Sequence, residues 1–236
     1  SVLLHLAGKD PKRAEALSAR FRELAAQHPA EALGAAGYLL YEPGPALHGA
    51  PWLAMARERY DANPEGAWGV AASAARHAPA EALTPELVDF FAARRADRPQ
   101  EYLEMLFELA AHDAARREDL VARALRDFDA APKESVEAAY DSVRDDVNVL
   151  RPALVAAVVR HATAAPEKAW DFFDAAARTV PALFDAATLD ALEKLAPTGA
   201  RKFFGVLHIL SEKDSAVLDR FVRALPAHPA DAIDEA

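Results

Sequence analysis

The chain has 236 residues, 52% of them apolar and 27% charged, which is the composition of a folded protein and excludes a disordered one. Its formal net charge of −10 runs against a nucleic-acid partner, because that affinity rests on Lys and Arg neutralising phosphates. It has no cysteine for disulfide or thiolate chemistry, and apolar runs such as residues 153–159 fall short of the roughly 18 to 20 residues that cross a bilayer, so the expectation is a cytoplasmic protein that does not enter membranes.

Along the chain, Val2–Asp10 (VLLHLAGKD) parallels Val206–Asp214 (VLHILSEKD), so the N-terminus is expected to lie inside a helix whose first part is missing. Asp10 before Pro11 is a helix-start signature. From Pro29 onward a proline recurs at Pro64, Pro99, Pro132, Pro166, Pro197 and Pro229, at intervals of 35, 35, 33, 34, 31 and 32 residues. Three and four residues after these prolines stand Ala32-Leu33, Ala67-Trp68, Tyr102-Leu103, Ser135-Val136, Ala169-Trp170, Ala200-Arg201 and Ala232-Ile233. Proline suits the first helical position, where a missing N–H costs nothing, so each is expected to open the first helix of a two-helix unit.

Within the first helices, Gly34, Gly37, Gly66 and Gly69 each cost up to ~1 kcal/mol relative to alanine, and close helix approach is the expected return. The stretch from Glu42 to Pro51 is the longest irregular one, and Trp52 after it fits either an exposed or a core position. Thr84 before Pro85-Glu86 is a second helix-start signature. After Pro99, the residues Tyr102, Leu103, Leu106, Phe107 and Ala110 form one apolar stripe, a break comes near His112-Asp113, and Leu120, Val121, Ala124, Leu125 and Phe128 form the next. The layout repeats after Pro166 with Trp170, Phe173 and Ala177, then Leu189, Leu192 and Leu195.

No strand pattern is sustained anywhere. The predicted fold is all-α, a right-handed α-solenoid of stacked two-helix units of about 33 residues, running over 1–236 as a single array. The chain stops shortly after Pro229 has opened a further unit, so a segment of a longer array is expected.

This layout resembles the α-solenoid families built of helical hairpins, the tetratricopeptide and HEAT repeats. The resemblance implies a scaffold that binds another protein or a peptide on the solenoid surface. The competing class is an enzyme on HEAT-like repeats, of the alkylpurine DNA glycosylase type. The groove of that family is basic and aromatic, whereas this chain is strongly acidic, and Tyr140, Asp141 and Arg151 are the residues that would have to mimic its functional ones.

No catalytic residue, metal site or cofactor is predicted. The eight histidines include no HxxxH or HExxH pair, and there is no Gly-rich phosphate loop, GxSxG or Walker motif. Trp68 and Trp170 share a position with aliphatic residues and are expected in the core. The acidic cluster Tyr140 to Asp146 reads as a solvated face. First helices are nevertheless enriched in carboxylates, and if stacked they form an acidic wall. Glu104, Glu108, Glu137, Asp141, Asp171 and Asp174 are its candidate binding residues, for a protein or basic peptide.

Overall fold

The computed structural model describes residues 25–39, 50–77, 82–145 and 147–224, with the isolated residues 16, 19 and 23. Among the described residues every regular element is helical and none is a strand. The helices are α1 (Pro29–Leu39), α2 (Ala50–Glu58), α3 (Pro64–His77), α4 (Pro85–Ala92), α5 (Pro99–His112), α6 (Arg117–Asp127), α7 (Pro132–Asp145), α8 (Pro152–His161), α9 (Pro166–Thr179), α10 (Ala186–Leu195), α11 (Ala200–Ser211) and α12 (Ser215–Ala224). The parallel at Val2–Asp10, the Asp10 start, residues 42–49, the surroundings of Gly37 and the unit at Pro229 lie outside the described residues.

The odd-numbered helices start 35, 35, 33, 34 and 34 residues apart. One backbone bond closes the first turn of all six, from the N–H of the fourth helical residue to the carbonyl just before the helix. It joins Ala32 to His28, Ala67 to Asn63, Tyr102 to Arg98, Ser135 to Ala131, Ala169 to Ala165 and Phe203 to Gly199, at 2.9 to 3.1 Å. The residues before α3, α5 and α9 share an extended φ with ψ of 81°, 69° and 71°. A following proline disfavours the helical region there, so the chain turns sharply into the helix.

The sixth start departs from the sequence pattern, which puts it at Pro197. Pro197 instead lies in the 3-10 turn Ala196–Thr198, and α11 begins at Ala200. The cause is Trp170. Its Nε1–H donates to Thr198 Oγ1 at 3.1 Å, and its ring lies so close to Gly199 that a β-carbon there would stand 2.6 Å from Nε1. The turn wraps the indole before the helix can begin. The fifth helical residue is therefore Phe204 and not Arg201, which is exposed. That position is filled by Leu33, Trp68, Leu103, Val136, Trp170 and Phe204, none more than 2% exposed.

The chain divides into two compact units, with the boundary between Arg117 and Glu118. In the first, α3 packs along both α1 and α5, and α2 lies on α3. Its core centres on Trp68, whose ring centroid is 4.8 Å from that of Phe91 and whose Nε1–H donates to Tyr60 Oη at 3.0 Å. Trp52 is 3% exposed on α2, a core residue. In the second unit α9 packs along α7 and α11, α8 on α7, and α12 on α11. Trp170 is its centre, edge-on to Phe173 and Phe203 at 5.6 and 6.1 Å.

Polar ties within each unit span about one helix-start interval. Asn63 to Ala30, Arg116 to Leu83, Arg151 to Glu118 and Lys202 to Glu167 are 33 to 35 residues apart. Thr84 caps α4 by accepting from Leu87 N–H at 3.4 Å. Phe128 falls just past the end of α6, in a turn, yet is fully buried.

Candidate functional site

On α7, Lys133 and Glu137 are one helical turn apart and their charges stand 4.0 Å from each other. Asp141 lies 3.5 Å from Arg144 and 4.0 Å from Lys168, which the packing of α9 on α7 brings across. Lys168 Nζ also sits 4.5 Å from the Tyr140 ring centroid. On α9, Asp171 pairs with Lys202 of α11, and Asp174 accepts two bonds from Arg178 at 2.8 and 3.0 Å. Those bonds push the Arg178 guanidinium above its ordinary pKa. All four predicted carboxylates of the second unit thus face cations. The face they share is a charge-matched ladder, each pair worth about 0 to 1 kcal/mol at this exposure.

Glu108 does not belong to an exposed wall. It is 4% exposed, and its Oε1 stands 2.5 Å from Arg76 Nη2 of α3. The reason lies in α5, where every residue from Met105 to Ala111 is buried. A helix covered on all sides there has no outer stripe on which a carboxylate could lie.

Glu104, the remaining predicted residue, borders a cleft of about 460 Å³ between α1, α3 and α5. Asn63 builds one end of it. Its Oδ1 accepts from Gly66 N–H at 2.9 Å and caps α3, while its Nδ2 donates to Ala30 O of α1 at 2.7 Å. Gly34, Gly66 and Gly69 line the cleft with Glu65, Glu101 and Glu104. A β-carbon on Gly66 would stand 2.8 Å from the backbone of Gly34 and Leu33, so this glycine is the close-approach residue the sequence suggests. Gly34 and Gly69 are not. A β-carbon on Gly34 would make an ordinary 3.5 Å contact with Asn63, and one on Gly69 would meet nothing within 4 Å.

The charges at this cleft are arranged differently from those on α7 and α9. Arg98 is shared by two carboxylates, Glu101 at 3.0 Å and Glu65 at 3.7 Å. Gln100 Nε2 donates to Glu104 at 2.8 Å. Sequence reasoning found Glu104 but missed the cleft. Its signal was the sixth helical residue, which reads Gly34, Gly69, Glu104, Glu137, Asp171 and Gly205 along the odd-numbered helices.

Other candidates have structural employment. His161 is 2.7 Å from Asp129, His208 is 3.8 Å from Glu212, and His28 and His112 are exposed at helix ends. Among the described residues no group of three or more His, Asp or Glu is placed to hold a metal ion. Arg151 meets Glu118 at 2.7 Å and donates to the carbonyls of Asn148 and Leu150, while Asp141 lies in the α7 ladder. Among the described residues no helix is long and apolar enough to cross a membrane. Compared with protein-family models, curated proteins and solved structures, the chain matches none.

Proposed function

We propose that this protein is an interaction scaffold, a right-handed α-solenoid of two-helix units that holds a partner protein or basic peptide along its odd-numbered helices. The observation that carries this reading is the shared register of those helices. α1, α3 and α5 lie side by side, as do α7, α9 and α11, and all six begin with the same backbone bond. Within each unit, equivalent residues of neighbouring helices are thereby brought onto one face, which is how stacked helical units bind partners. The carboxylates at that face in the first unit select a partner of positive charge and speed its arrival. In this reading no nucleic acid, membrane or cofactor takes part, and the protein works in the cytoplasm.

The test is a biosensor titration with immobilised short peptides of graded charge. Basic peptides are expected to bind, and to bind less well as salt rises from about 10 to 150 mM, where the screening length falls from about 30 to 8 Å. Equal retention of acidic and basic peptides, or retention of neither, overturns the scaffold reading. Small-angle scattering tests the solenoid itself. A radius of gyration at the roughly 17 to 18 Å expected for a globular chain of this length excludes it.

A further inference from the structure

We propose that a second copy of this chain pairs with the first through the outer face of α12, the two helices antiparallel about a two-fold axis. One side of α12 is turned inward. Val217 is buried there, and Arg220 reaches α10, meeting Asp190 at 2.6 Å and Glu193 at 2.7 Å. Leu218 and Val222 stand two residues before and two after Arg220, so at 3.6 residues per turn each points about 160° away from it. They are 46% and 56% exposed, two of the three exposed large apolar residues among the described residues. A single exposed apolar side chain is ordinary. Two of them one turn apart make a stripe of the kind that a facing helix covers.

Charge identifies the occupant. Asp219 and Arg223 each follow one residue of the stripe, so they form a flank beside it, and both are exposed. Arg223 Nε donates to the backbone carbonyl of Asp219 at 3.1 Å, and among the described residues neither side chain is paired with an opposite charge. When two identical helices pack antiparallel, each flank meets the same flank of the other copy. An acidic residue followed one turn later by a basic one then matches itself, with Asp219 opposite the partner's Arg223 and Arg223 opposite the partner's Asp219. A parallel pair would set this flank against the side that carries Val217, where no such match exists. A helix of another sequence would owe the match to chance, whereas a copy of α12 has it by symmetry. The helix has 10 residues and is about 15 Å long, so the contact falls short of the roughly 1,200 Å² of a stable interface. The dimer is therefore a weak one, with a Kd of about 10 to 100 μM.

The experiment is analytical ultracentrifugation of the full chain from about 5 to 500 μM, a range over which mass action fills such a dimer. The weight-average mass is expected to rise from one copy toward two and no further. Leu218→Ser/Val222→Ser, which alters only exposed side chains, is expected to stay monomeric. Asp219→Arg and Arg223→Asp each set like charges opposite one another twice per dimer, and each alone is expected to weaken pairing at least about fivefold. Mixed in equal amounts, these two variants regain every opposite-charge contact. The mixture is expected to pair at least as tightly as the parent, which also shows that both variants are folded. A chain that stays monomeric throughout, a mass that grows beyond two copies as head-to-tail stacking would give, or association that Leu218→Ser/Val222→Ser leaves intact overturns the proposal. So does a mixture that pairs no better than its separate components.

Discussion

A β-carbon on Gly66 would stand 2.8 Å from the backbone nitrogen of Gly34, so at this point α3 rests on the bare backbone of α1. One turn further along α3, Gly69 faces open space. Two glycines of one helix thus owe their presence to different causes, which substitution separates by sign.

Gly66→Ala forces the backbones of α1 and α3 apart and is expected to destabilise by about 1 to 3 kcal/mol, the range for overpacking. Gly69→Ala restores helix propensity without a clash and is expected to stabilise by up to about 1 kcal/mol. Denaturant midpoints at unchanged slope measure both. Shifts of the same sign would contradict the α1–α3 packing.

The Arg76–Glu108 pair ties α3 to α5, with the Glu108 side chain 5% and the Arg76 side chain 29% exposed. Arg76→Leu leaves Glu108 charged and buried without that partner, which is expected to cost about 3 kcal/mol, the low end of the range for splitting a buried pair because Arg76 is partly solvated. Arg76→Leu/Glu108→Leu is expected to recover most of that loss. A double variant as unstable as the single one would show that the leucines pack badly and that charge is not the cause.

Trp170 and Gly199 form a coupled pair. Trp170→Leu empties part of the space the indole fills and removes its bond to Thr198, so it is expected to destabilise by about 2 to 4 kcal/mol. Gly199→Ala is expected to cost about 1 to 3 kcal/mol by driving a methyl into the ring. In the Trp170→Leu background the second cost is expected to shrink by at least about 1 kcal/mol, a coupling that a double-mutant cycle measures directly. Additive costs would mean that the two residues do not touch.

How much of this is legible in the sequence depends on the range of the interaction. The starts of α1, α3, α5, α7 and α9 are readable because proline acts locally, through its fixed φ and missing N–H. The start of α11 is not, since Trp170, about thirty residues earlier, decides where the turn over Gly199 ends. Leu33, Trp68, Leu103, Val136 and Trp170 are recognisable as core from their common position. Glu108 is misread because helical periodicity describes one helix, while its burial comes from what surrounds α5. Gly66 and Gly69 look alike in sequence for the same reason. Only the line along which α1 crosses α3 distinguishes a glycine that is squeezed from one that faces a cleft.

Acid is expected to loosen the fold through three aspartates. Burial pushes the Asp113 carboxyl up, but bonds from the Arg116 guanidinium and from the Arg116 and Ala115 N–H groups outweigh it and hold the pKa low. The hydrogen bond from His161, aided by the charge of Arg160, lowers Asp129. The Thr188 N–H at 2.8 Å lowers Asp185, which caps α10. In each case the folded pKa lies below the unfolded value of about 3.9, so between the two the unfolded chain binds more protons and stability rises with pH. The contribution is complete above about pH 5 and disappears as pH falls through the folded values. Melting temperatures between about pH 2.5 and 7 are the measurement. The parent is expected to lose stability steadily below about pH 4.5. Asp113→Asn and Asp129→Asn are expected to start lower at pH 7, fall less steeply, and converge with the parent at the acid end. A variant whose curve runs parallel to the parent over the whole range would show that its aspartate is not stabilised in the folded state.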